Sequence, residues 1–271
     1  MMKTTAYRFP NEQLILAGTL VLVLVVIALS ATATVCASVV FIAAFGVISY
    51  SSSQSHHQNL LRGAQRITPK SSPVLSEMLQ TATTRLQPGE IEAFVAPGRI
   101  LNAYTFGLSS PKVVVLYAPL LKIMDEEELT FIIGHELGHV ALGHTWLNSL
   151  VGGLAGIPSP MGAAALLSMA FLSWNRACEF SADRAGLLAC GKPEKAITAL
   201  VKLVAGPKAI SQEGLAAAYR QIDAEDDTWL GSLNEAFGTH PMLIRRIQEL
   251  RKYASSKQYQ HLLALVRRNS I

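Results

Sequence analysis

Charge is scarce in this sequence, and where it is missing says more than the total. Only 15% of the 271 residues are charged while 50% are hydrophobic, a balance too apolar for an ordinary soluble domain and one that points first to a membrane part. Two stretches, Leu14 to Tyr50 and residues 145–175, carry no charge at all. A positive excess is also missing from most of the chain. Residues 1–70 hold Lys3, Arg8, Arg62, Arg66 and Lys70 against Glu12 alone, which accounts for the whole net charge of +4. That distribution argues against a nucleic-acid partner. The basic N-terminal flank, and a tail from Pro241 with seven basic residues against Glu249, suit an anionic lipid surface better. Cysteine is sparse as well: Cys36, Cys178 and Cys190 are an odd number in no ligand spacing, so they read as unpaired packing residues and no disulfide framework is expected.

The first uncharged stretch is too long for one crossing of a bilayer. Its 37 residues would make a helix of roughly 55 Å against a hydrocarbon core of about 30 Å. Division at the small polar patch Ser30 to Thr34 turns residues 1–50 into a transmembrane helical hairpin of two short spans, 14–29 and 35–50. Basic residues on both outer flanks then place both ends in the cytoplasm. Lys3 and Arg8 before an apolar run, with Ala31-Thr32-Ala33 after it, also fit a secretory signal or a single signal anchor. The second apolar run that follows at once favours the hairpin.

Residues 51–73, rich in Ser, Gln and His, read as a polar linker with some helix around Leu60 to Ile67. The folded domain is expected to cover residues 74–271. It opens with a helix from Val74 to Leu86, followed by strands at Ile91–Val95, Ile100–Phe106 and Val113–Tyr117, so a small sheet precedes the central motif. The second uncharged stretch, 145–175, is an apolar insertion broken by Gly152, Gly153, Gly156, Pro158 and Pro160. Its longer piece, Met161 to Trp174, would reach only about 21 Å as a helix, so a membrane-dipping hairpin and a buried core helix pair both remain open.

Between the sheet and that insertion lies His135-Glu136-Leu137-Gly138-His139, an H-E-x-x-H motif inside a run whose apolar residues recur at helical spacing. Asp125, three residues before Glu128, reads as a capping box that starts the helix, and Gly143 as its stop. Histidines four apart project from one face and can share one metal ion, while Glu136 is turned partly away and can take a proton from water there. Two imidazoles and a carboxylate suit zinc and the hydrolysis of a peptide carbonyl. A further helix, Asn175 to Ala189, carries Arg176, Glu179 and Asp183. Glu179 and Asp183 again share a face, and the 40 residues after His139 leave room for this helix to return with Glu179 as third ligand and Asp183 behind a ligating histidine. His144 does not serve as third ligand, because the metzincin pattern needs glycine and histidine where Leu142 and Thr145 stand.

Taken together, these residues resemble the HtpX and CAAX prenyl protease family of membrane-associated zinc metalloproteases. The match consists of HELGH at 135–139, R-A-C-E-F-S-A-D at 176–183, Asn102-Ala103-Tyr104-Thr105 upstream, and Thr239-His240-Pro241 with Arg246 downstream. The resemblance implies an α+β, mainly helical zincin domain with a small sheet, holding one zinc ion through His135, His139 and Glu179. Glu136 would be the general base, Asp183 the partner behind the ligands, His240 the oxyanion stabiliser, and Arg246 and Arg176 orienting groups. Asn102, Ala103 and Tyr104 would form the edge strand on which a peptide substrate lies extended. The chain is too short for the many-helix barrel of the prenyl proteases, and Met242 stands where a second proline often follows the His-Pro pair. The expected protein is a multi-pass membrane endopeptidase of a bacterial cell membrane, its catalytic domain cytoplasmic, acting on misfolded or membrane proteins. The contrasting expectation is a membrane-anchored zinc protein that holds clients without cutting them. Three evident ligands, rather than the four that close a structural site, favour catalysis.

Overall fold

The computed structural model of the chain describes residues 4–33, 37–107, 110–145, 162–225 and 240–268. After a 3-10 turn at Thr4–Tyr7 come α1 (Glu12–Ala33), α2 (Ala37–Arg62), β1 (Gln65–Arg66), α3 (Pro73–Leu86), β2 (Ile91–Ala96), β3 (Ala103–Phe106), β4 (Lys112–Tyr117), the short α4 (Leu120–Ile123) and α5 (Glu126–Ala141). Then follow α6 (Gly162–Cys190), α7 (Pro193–Ala205), α8 (Gln212–Glu225), α9 (His240–Ala254) and α10 (Lys257–Arg268). The architecture is α+β and mainly helical, as the sequence leads one to expect.

Among the described residues, α1 is the one helix long and apolar enough to cross a membrane. At 22 residues it measures about 33 Å, and Leu14, Val21, Leu24 and Leu29 are exposed along it. Its opposite side is covered, because Ile15, Leu16 and Val23 pack on Phe171, Trp174 and Cys178 of α6. The second expected span is the apolar first half of a longer helix: α2 runs on through the serine- and histidine-rich stretch to Arg62, where the composition suggests a linker. Leu60 and Leu61, near its end, pack against the sheet cluster of Ala96, Phe106, Val115 and Tyr117, which gives the polar half a reason to stay helical.

Strand order in the sheet is β1-β2-β4-β3. β2 and β4 are parallel, with Ile91 opposite Lys112, and β3 returns antiparallel to β4, with Ala103 opposite Leu116. Val114, Val115 and Leu116 are fully buried because both faces of β4 are covered, Val114 and Leu116 by the main core and Val115 by the cluster of Ala96, Phe106 and Tyr117. β3 is an edge strand. It starts at Ala103 rather than at Ile100, and β1 adds a short antiparallel pairing, Gln65 opposite Val95, that no sequence pattern announces.

The expected capping box is present: Glu128 N–H donates to Asp125 Oδ1 and Asp125 N–H to Glu128 Oε2, each at 2.9 Å. Gly143, with φ of 78°, follows the helix end. Helix α6 departs from the expectation in being continuous from Gly162 to Cys190, so the segments before and after Asn175 are one helix. The glycine- and proline-broken residues 146–161 lie outside the described residues.

Helices α5 and α6 cross at close range because small residues face each other. A Cβ on Gly138 would sit 2.6 Å from that of Ala185, and one on Gly134 would run into that of Ala189. Gly186 is equally confined, since a Cβ there would lie 2.7 Å from the Phe131 carbonyl oxygen. Gly138→Ala is therefore expected to destabilise the protein by about 1–3 kcal/mol through overpacking, although alanine gains about 1 kcal/mol over glycine in an open helix. Gly18→Ala in α1, where nothing lies within 4 Å, should be neutral or stabilising. Thermal unfolding of both variants in detergent checks this, and equal midpoints would contradict the close seam.

Candidate metal centre

The seam sets two pairs of polar side chains opposite one another. His135 and His139, one turn apart on α5, are both buried, and their rings meet edge to face with centroids 4.8 Å apart. Their Nε2 atoms are 3.2 Å apart. From α6, Glu179 brings one oxygen to 3.6 Å from His135 Nε2 and the other to 3.4 Å from His139 Nε2. Four ligands at about 2.0–2.1 Å around zinc would have edges of about 3.3 Å, close to the Nε2–Nε2 separation and to the distance of each histidine from one Glu179 oxygen, so the three residues suit a single ion. The three residues line a cavity of about 240 Å³ whose other walls include Asn102, Ala103, Tyr104, Thr105, Ile132 and Leu203.

Arg246, from α9, ties the carboxylates together. Its Nε donates to Asp183 Oδ2 at 2.8 Å and its Nη2 to Asp183 Oδ1 at 2.6 Å, while Nη1 stands 3.0 Å from Glu179 Oε2. Asp183 Oδ1 in turn lies 3.0 Å from His135 Nδ1. An ionised carboxylate only accepts, so His135 carries its proton on Nδ1 and presents a bare Nε2 to the cavity. Burial works against charge on Glu179, yet Arg246 and the two histidines outweigh it and hold this carboxyl well below the usual range. Burial likewise opposes charge on Asp183, but Arg246 and His135 hold it low. Burial depresses the Arg246 guanidinium, but Asp183 and Glu179 more than compensate and raise it.

Glu136 behaves oppositely. It is 6% exposed, and burial pushes its carboxyl up to about 7, helped by the charge of Glu179 and opposed by His139, a hydrogen bond with Thr105, and Arg246. A carboxyl poised there can take up and release a proton near neutrality, as a general base must.

The structure thus brings His135, Glu136, His139, Glu179, Asp183 and Arg246 to one place, with Asn102, Ala103 and Tyr104 along the cavity wall. Arg176, on α6 just before Glu179, is not among the residues lining the cavity. His240 is the first residue of α9, and its side chain lies outside the described part. His144 does not line the cavity, but its place matters: its Nδ1 stands 2.9 Å from Nδ1 of His139, and its Nε2 is 3.1 Å from Glu12 Oε1. Burial carries the His144 imidazole down to about 4 against the pull of Glu12. Sequence reasoning misses Glu12 and Leu203, and it names Thr105 only within the upstream match, without its hydrogen bond to Glu136. The one available signal is that Glu12 is the sole acidic residue among the first 70, at the head of an apolar helix.

A family model, that of peptidase family M48, matches residues 68–254. The chain is 28% identical to the plastoglobule-localized metallopeptidase 48 of Arabidopsis thaliana over 66% of its own length and 56% of the plant protein, so it spans little more than half of that relative. It is 25% identical to a protease HtpX homolog of Paenarthrobacter aurescens, over 70% of this chain and 76% of the relative. A protease HtpX homolog of Desulforapulum autotrophicum is 27% identical, over 76% and 77%. No solved structure matches the chain.

The geometry ranks the charged residues of α6. Glu179→Gln should weaken zinc binding most, Asp183→Asn by about 10–100-fold, and Arg176→Gln little. Competition against a chromophoric chelator gives the order, and full affinity in Glu179→Gln would remove that residue from the ligand set.

Proposed function

The chain belongs to peptidase family M48, and from that premise we propose that it is a membrane-associated zinc endopeptidase whose catalytic centre is the cavity between α5, α6 and the edge strand β3. The observation that carries this reading is that His135, His139 and Glu179 bring donor atoms within 4.8 Å of one another beside a buried Glu136. Zinc held by His135, His139 and Glu179 would supply a Lewis acid for the scissile carbonyl and make water a stronger nucleophile near pH 7. Glu136 takes the proton from the attacking water at its carboxylate and returns it to the departing amine. Asp183 fixes the tautomer of His135, and Arg246 fixes both carboxylates. Neither Asp183 nor Arg246 needs to exchange a proton.

The edge strand gives the substrate its place. Among the described residues β3 pairs only with β4, so its outer edge offers unpaired backbone groups along the cavity wall to an extended peptide. Strand addition of this kind reads backbone more than side chains and suits a protease that accepts many unfolded segments. Clearance of misfolded or membrane proteins is the setting we favour. We assign His240 the role of oxyanion donor on the strength of the family resemblance, since the helix it begins is the one that carries Arg246 to the site.

We further read α1 and the apolar half of α2 as a membrane hairpin, with the catalytic domain on the cytoplasmic side of a bacterial membrane. The head of α1 is buried against the domain at Glu12, and α2 leads directly into β1, which supports both outer ends lying on the domain's side. Reporter fusions to the two termini should both score cytoplasmic, and an external C-terminus would overturn the hairpin.

Purified wild-type protein loaded with zinc is expected to cleave unfolded casein, while Glu136→Gln keeps its zinc and loses about 10²–10⁴-fold in rate. Equal cleavage by the variant would remove Glu136 from the mechanism. Full zinc content with no cleavage by wild-type protein would favour a zinc protein that binds clients without cutting them.

A further inference from the structure

We propose that Glu12, at the head of the membrane helix α1, is a positioning residue for the metal site, acting through His144 on the ligand His139. The proposal rests on reading His139 as a zinc ligand, and Glu12 lies well outside the residues matched by the family model.

The N-terminal segment is locked into the catalytic domain beside the metal-bearing helices. Tyr7 is fully buried, Phe9 N–H donates to Ser181 Oγ at 2.8 Å, and the Phe9 and Phe180 rings lie 4.8 Å apart. Arg8 Nη2 donates to the Leu142 carbonyl at 3.0 Å, just past the end of α5. Arg184 donates to the Arg8 carbonyl at 3.3 Å and lies over the Phe9 ring. These contacts bury Glu12 to 1% exposure at the foot of an otherwise apolar helix, where its carboxylate receives Arg8, Ser181 Oγ and His144 Nε2.

Proton placement follows from the hydrogen bonds. The Nδ1 atoms of His139 and His144 face each other at 2.9 Å, so one carries hydrogen and the other is bare. Were His144 the donor, its own Nε2 would be bare and would face the Glu12 carboxylate, lone pair against lone pair. His139 would then hold its proton on Nε2, pointing at the place where Glu179 and His135 converge. The opposite arrangement satisfies every atom: Glu12 accepts from His144 Nε2–H, His144 Nδ1 accepts from His139 Nδ1–H, and His139 presents a bare Nε2 to the metal. Glu12 thereby does for His139, through one imidazole, what Asp183 does directly for His135. A carboxylate in the membrane helix selects the tautomer on which metal binding depends.

Glu12, His144 and Cys178 also have donor atoms within 4.8 Å of one another, close enough for a second ion. Arg8 already places a cation on the same carboxylate, which disfavours another.

The test uses the full chain in detergent and reads metal affinity and the cobalt(II) absorption spectrum, neither of which requires peptide cleavage. Glu12→Gln can donate as well as accept and so loses the selection; it should weaken zinc binding about 10-fold or more and alter the cobalt spectrum, as should His144→Phe. His144→Asn can offer His139 an acceptor oxygen without help from Glu12, so adding Glu12→Gln to it should cost nothing further. Equal losses from Glu12→Gln in both backgrounds would show that Glu12 merely anchors the N-terminal segment, and would overturn the proposal. So would unchanged affinity in Glu12→Gln, or a second zinc equivalent that disappears in Cys178→Ser. Failure of the wild-type protein to bind any zinc would instead contradict the metallopeptidase reading itself.

Discussion

The close approach of α5 to α6 is the constraint on which the rest of the structure depends. Gly134 and Gly138 face Ala182, Ala185, Gly186 and Ala189 with no room for larger side chains, so the helix axes come near enough for side chains of modest length to meet. On α5 the same turns that carry the glycines carry the histidines: Gly134 precedes His135, and Gly138 precedes His139. Packing and chemistry are therefore fixed by one repeat of four residues. A larger residue in the seam would change the donor separations across it.

Burying so much charge is costly unless the charges answer one another. Glu179 and Asp183 carry two negative charges against the single positive charge of Arg246, while Glu136 sits near 7 and is half neutral at that pH. The centre is thus left with a net negative charge, beside donor atoms of His135, His139 and Glu179 that lie within 4.8 Å of one another. A divalent cation resolves that imbalance, which is why the donor set reads as a metal site rather than as an ion-pair network. Helix α1 leaves one apolar side exposed and packs Ile15, Leu16 and Val23 on Phe171, Trp174 and Cys178 of α6, within about two turns of Glu179.

Local chemistry is legible in the sequence, and distant chemistry is legible only in part. The capping box at Asp125 and the histidine pair depend on spacings of three and four residues, which a helix reproduces faithfully. Glu179 and Asp183 can be inferred because zinc requires a third ligand and a supported histidine. Arg246, 63 residues beyond Asp183, can be named only through family resemblance. Glu12, 132 residues before His144, gives no pattern at all, since a lone carboxylate before an apolar run also suits a simple helix start. The helical run from Ser51 to Arg62 has the composition of a linker because Ser, Gln and His are weak indicators when tertiary packing continues a helix already begun. Likewise the charge boundary at Asn175 looks like a helix boundary in sequence, whereas α6 passes through it unbroken.

X-ray absorption at the zinc K edge of the full chain, loaded with one equivalent of zinc, tests the ligand assignment most directly. The structure predicts a shell of nitrogen and oxygen at about 2.0–2.1 Å with outer-shell scattering from two imidazoles. A sulfur shell at about 2.3 Å would place the ion at Cys178 and contradict the assignment of His135, His139 and Glu179.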